Sequence, residues 1–144
     1  PDQKNQDVLD SIGKSLKGFV PGGSDNSING VTTLLGHTVI AFFEDGSRSE
    51  DALEKYYVLM EGASFVRLDV FGWRRQVTGT AMATKIQQVS AFVACKSAID
   101  FSKLKFDTFL EVYSPVLTAG NPKMTPEELQ AEVAQAKALF NQFQ

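Results

Sequence analysis

Cysteine, histidine and tryptophan occur once each in this chain of 144 residues, and basic residues do not outnumber acidic ones. Each scarcity closes a class of chemistry. With Cys95 alone, neither an internal disulfide nor a metal site built on cysteines can form. With His37 alone, a general base would have to be this residue or a carboxylate, and nothing beside it in sequence supplies a nucleophile with an orienting partner. The net charge of −3 argues against a domain that gains affinity by neutralising phosphates, so no nucleic acid is expected as a partner. No apolar run approaches the ~20 residues needed to span a bilayer, so no transmembrane segment is expected. Residues 1–17 are too polar for a signal peptide, and the chain is expected to be soluble. An opening Pro1 in place of Met fits either removal of the initiator or cleavage of a leader.

Phenylalanine is abundant, at eleven residues against three tyrosines, which places the aromatic weight in side chains without a polar handle. Such side chains favour a core or a dry interface. The length is near that of one ordinary domain.

The sharpest local structure is at the C-terminal end. Thr125 is placed to cap a helix, Pro126 to occupy its first position, and Glu128 to reach back in a capping box, with Met124 and Leu129 as a hydrophobic staple. Leu129, Val133, Ala136, Phe140 and Phe143 then recur at helical spacing on one stripe. That stripe packs either on the protein's own core, the ordinary arrangement for a surface helix, or on another subunit, and Phe140 and Phe143 lie so near the chain end that they fray unless something holds them.

Val8, Leu9, Ile12 and Leu16 predict a first amphipathic helix, weakened by Gly13 and ended by Gly18. The organisation expected is an N-terminal helix arm over 1–20, a flexible Gly- and Ser-rich connector over 21–30, and a single α+β domain over 31–144. Within that domain, the β-branched and aromatic run through Thr38–Phe43 predicts a strand over 31–43. Ser47 and Glu50 then suggest a second capping box, with a helix carrying Leu53, Tyr56, Tyr57 and Met60 and stopping at Gly62. Residues 65–77 alternate as a strand with apolar residues on both faces, which suits a central position. From 80 to 100, Met82, Ile86, Val89 and Val93 fit a helix, whereas Val89, Ala91, Val93 and Cys95 fit a strand; a strand over 86–97 is preferred. Residues 104–117 read as a last strand broken at Ser114–Pro115. The fold class is therefore α+β: a mainly antiparallel sheet of about four strands, an N-terminal helix, one helix after the first strand and a C-terminal amphipathic helix.

Few residues suggest chemistry. Asp45, Ser47, Ser49 and Asp51 do not meet the spacing of a calcium loop, and Gly18, Gly22 and Gly23 lack the strand, lysine and hydroxyl of a phosphate loop. Cys95, in an apolar strand with no cationic neighbour on its face, is expected to be buried and inert. No catalytic, cofactor-binding or metal-binding residue is nominated. The interaction candidates are Phe140, Phe143, Leu129 and Val133 on the last helix, and Trp73, Arg74 and Arg75, the chain's only concentration of arginine beside its tryptophan. The leading expectation is a non-enzymatic structural or assembly subunit, a homo-oligomer or a protein docked on a partner through its terminal helices. The alternative is a small-molecule binding or enzymatic α+β cone with a Phe-lined apolar pocket.

Overall fold

A computed structural model describes residues 3–44, 50–78 and 86–143. In chain order the elements are α1 (Gln3–Phe19), α2 (Asp25–Glu44), β1 (Glu50–Glu61), β2 (Ser64–Thr78), β3 (Ile86–Ala98), a 3-10 turn (Phe101–Lys103), α3 (Phe106–Gly120) and α4 (Pro126–Gln142). The class is α+β with an antiparallel sheet, as the patterning implied. The sheet has three strands among the described residues, in the order β1-β2-β3, rather than about four.

Three segments differ in kind from the sequence reading. Residues 31–43, expected as a strand, lie inside α2. The buried residues Ile28, Val31, Leu35, Val39 and Phe42 form one continuous helical stripe, of which the β-branched run is only the last part. Thr32 and Thr38 donate their hydroxyls back to the carbonyls of Ile28 and Leu34, at 2.7 and 2.9 Å, which satisfies them within the helix.

The helix expected after the first strand is instead strand β1; Ser47 of its supposed cap lies outside the described residues. Tyr57, Val58, Leu59 and Met60 are all buried, because this end of β1 packs against both α2 and α3. A strand covered on two faces reads in sequence like a short buried helix. Residues 104–117, expected as the last strand, hold α3, where Phe109, Tyr113, Val116 and Leu117 point into the core. Pro115 sits inside this helix at an exposed position and removes one main-chain bond, a loss that the packing of the opposite side outweighs.

Residues 21–30 are not a long connector. Asp25–Gly30 already belongs to α2, and the short turn before it is tied to the β1–β2 hairpin. Ser24 N–H donates to the Met60 carbonyl at 2.9 Å, and Gly62 N–H donates to the Gly22 carbonyl at 2.8 Å. The hairpin turns through Gly62, whose φ of +61° is the left-handed conformation a glycine adopts without cost. Leu16 and Val20 join the same core as the rest of the chain, so the first helix is part of the body.

That core is aromatic. Phe65 meets Phe109 edge-on at 4.8 Å and Tyr113 at 5.2 Å, and Phe140 meets Phe101 edge-on at 5.2 Å. Helices α2 and α3 cross with their backbones in close approach. An added Cβ at Gly30 would overlap the Val116 carbonyl, and one at Gly120 would overlap the Asn26 carbonyl. One buried polar link joins the layers: Ser27 Oγ accepts from Met60 N–H at 3.1 Å and lies 3.3 Å from the Tyr113 hydroxyl.

Candidate functional site

The sheet's inner and outer faces are treated unequally, and the difference follows from strand parity. On β2, Leu68 and Val70 point inward and are buried, while Arg67, Asp69, Phe71 and Trp73 point outward. Cross-strand register extends the outward row on both sides. Phe71 lies opposite Glu54 and Val93, Asp69 opposite Tyr56 and Cys95, and Trp73 opposite Ala52 and Ala91. No described helix covers this row. Tyr56 is 45% exposed, Phe71 41%, Trp73 38% and Val93 60%, so four large apolar side chains share one open face. An exposed apolar patch of this kind marks an interaction surface more often than scattered single residues do.

One end of the patch is polar and ordered. Arg67 forms an ion pair with Asp69 at 3.0 Å, and its guanidinium lies 4.0 Å from the centre of the Tyr56 ring. The hydrogen bond to Asp69 raises the Arg67 pKa further above its ordinary value. The pair is exposed and contributes little to stability, but it fixes the tyrosine ring against the patch.

On the inner side lies an open groove of about 780 Å³. Val8, Ile12 and Phe19 of α1 form one wall, Leu35 and Val39 of α2 the back, and Leu68 and Val70 the floor. It runs out over Phe92, Val93 and Ala94 of β3, the sheet's edge strand. Gly72 helps to shape it, since an added Cβ there would overlap the Phe92 ring. Groove and open face therefore meet along β3.

Cys95 is exposed, contrary to the sequence expectation that an apolar run would bury it. Val93 and Ala94 before it are apolar, but Lys96 and Ser97 follow it, and it lies beside Val93 and opposite Asp69 on a face that no described helix covers. His37 is exposed on α2. Among the described residues no three His, Cys, Asp or Glu side chains gather to hold a metal ion. No described helix is long and apolar enough to cross a membrane.

The nominated interaction residues separate into two groups. Leu129 and Val133 are partly buried against the core, and Phe140 is only 2% exposed, enclosed by Phe101, Phe106 and Phe109. Phe143 stays 42% exposed and stacks on Phe101 at 5.3 Å. Trp73 lies on the open face. Arg74 and Arg75 stand opposite Asp51 and Glu50 in the β1–β2 register, and their side chains lie outside the described set.

Sequence reasoning missed Ser27, Tyr113 and the groove. Burial pushes the Tyr113 phenol above its ordinary pKa, with the Ser27 hydrogen bond acting the other way; Tyr57 is likewise raised by burial and opposed by Thr38. Both phenols stay protonated at neutral pH and serve as fixed hydroxyls of the core. Nothing in the local sequence marks Ser27, because its partners are 33 and 86 residues away. Comparison of the chain with protein families, with curated proteins and with solved structures found no match.

Proposed function

We propose that this protein is a non-enzymatic structural or assembly subunit that self-associates or docks on a protein partner. The recognising surface in this reading is the open face and outer edge of the sheet, not the C-terminal helix. The observation that carries it is the alignment of Tyr56, Phe71, Trp73 and Val93 on one exposed face. Fully burying a large apolar side chain is worth about 1.5–3 kcal/mol, so these four, already partly covered, offer a contact a few kcal/mol strong. Phe140 and Ala136 are enclosed by the chain's own helices, which leaves α4 only Phe143 and its polar side to offer.

Light scattering behind a size column tests the reading. Phe71→Ser is expected to weaken association by about tenfold or more, one exposed anchor's worth of contact, while the thermal midpoint of the folded chain stays within a few degrees of wild type. Unchanged association in that variant would remove the open face from the account.

The groove favours a second reading, in which the chain binds a small apolar molecule. Its volume falls in the range of ligand sites, and its lining is mostly aliphatic with Phe19 and Phe92 at the mouth. Saturable one-to-one binding of a single-chain fatty acid by a monomeric protein would favour that reading over assembly.

A further inference from the structure

The two edges of the sheet are built differently. β1 carries five charged residues among its twelve, Glu50, Asp51, Glu54, Lys55 and Glu61, and its Met60 end is packed between α2 and α3. Charges and cover of this kind are how natural sheets keep an edge from pairing with another chain. β3 has neither protection. It is thirteen residues long, contains no proline, has Lys96 as its only charged residue, and is exposed along residues 92–98. No described strand or helix lies along its outer side. Lys96 itself is drawn inward across the sheet by an ion pair with Glu61 at 3.3 Å.

We infer that β3 pairs antiparallel with β3 of a second copy of this chain, joining two three-stranded sheets into one of six strands; this rests on the assembly reading above and specifies its interface. An antiparallel edge is self-complementary, because a two-fold axis perpendicular to the sheet maps each strand's donors and acceptors onto those of the other. The register with the longest overlap sets Ile86 opposite Ala98 of the second copy. In that register Lys96 faces Gln88, so the only charges on the two strands stay apart and no like-charge contact opposes pairing. Pairing also continues both apolar surfaces. Phe92, Val93 and Ala94 form the lip of the groove, so the second copy's strand runs along its open side, and the rows of Phe71 and Val93 become one face spanning both copies. A different protein's strand would use the same edge, but it would need a partner of matching length and twist, which a second copy supplies by symmetry.

Val93 is the residue to change, since it is 60% exposed and lies diagonal to its own copy across the axis, about 7–8 Å away. Val93→Lys and Val93→Glu should each lower the association constant by about tenfold or more through like-charge apposition. An equimolar mixture of the two variants should restore association by pairing opposite charges. Melting curves of each variant at a concentration where it is monomeric check that the fold is intact.

The single native cysteine gives a second readout. A nitroxide on Cys95 projects from the outward face of the pairing strand, perpendicular to its main-chain hydrogen bonds, and the two labels are expected about 20 Å apart by electron–electron dipolar spectroscopy, from six residues of strand rise. A dimer that survives both single-charge variants, or label distances with no population near that value, overturns edge pairing while leaving assembly through another surface. A wild-type chain that is monomeric at every accessible concentration overturns both.

Discussion

Replacing Phe140 by alanine is expected to cost about 3–5 kcal/mol of folding stability, because it empties the space enclosed by Phe101, Phe106 and Phe109. The ring is 2% exposed, and its neighbours are held by two different elements, the 3-10 turn and α3, which cannot both collapse into the gap. Two edge-on contacts, with Phe101 at 5.2 Å and Phe106 at 5.4 Å, are lost as well. The loss should appear as a lower midpoint in a single cooperative urea transition with an unchanged slope. Phe143→Ala, at a ring 42% exposed, should lose far less. Equal and small losses at the two positions would mean that α4 is not docked as described.

Gly30→Ala is expected to destabilise the fold by about 1–3 kcal/mol, against the direction that helix propensity alone would give. Alanine is favoured over glycine by about 1 kcal/mol in a helix interior. At Gly30, however, the new methyl group would overlap the Val116 carbonyl, a backbone atom of α3 that moves only if the two helices part. Gly18 in α1 has nothing near its Cβ position, so Gly18→Ala should be neutral or stabilising by up to about 1 kcal/mol. Chemical denaturation of the two variants side by side separates steric conflict from propensity. Stabilisation by both substitutions would contradict the close crossing of α2 and α3.

What the sequence made legible is what local chemistry decides. The capping box of α4 forms as its residues imply, with Glu128 N–H donating to Thr125 Oγ1 and Thr125 N–H donating to Glu128 Oε1, both at 3.1 Å. The alternation of residues 65–77 becomes β2, and the preference for a strand over 86–97 becomes β3. Segments were misread where burial on two sides erased the period. In β1 the four consecutive buried residues Tyr57–Met60 carry no alternation, and in α3 Phe106, Thr108, Leu110 and Val112 alternate by chance beside the stripe that packs. In α2 a β-branched run was overridden by the helices around it, as weak propensities are by tertiary packing.

The site was harder to read for a different reason. Periodicity identifies an apolar face but not what covers it. Phe140 and Trp73 both stood out as apolar residues suited to an interface. One is enclosed by three phenylalanines from the 3-10 turn and α3, and the other lies on a sheet face left open among the described residues. Cys95 was misjudged in the same way, since the apolar character of β3 suggested a covered strand. An edge strand carrying one charge in thirteen residues is a signal present in the sequence, but it acquires meaning only once the strand order is known.

Sedimentation equilibrium of the wild-type chain over a wide range of concentrations tests the central claim most directly. A protein that assembles through an unprotected sheet edge and an apolar face is expected to show a reversible, concentration-dependent rise from the 15.8 kDa of one chain to twice that mass. A single species at 15.8 kDa across the whole range would contradict self-association, and with it the pairing of two β3 strands.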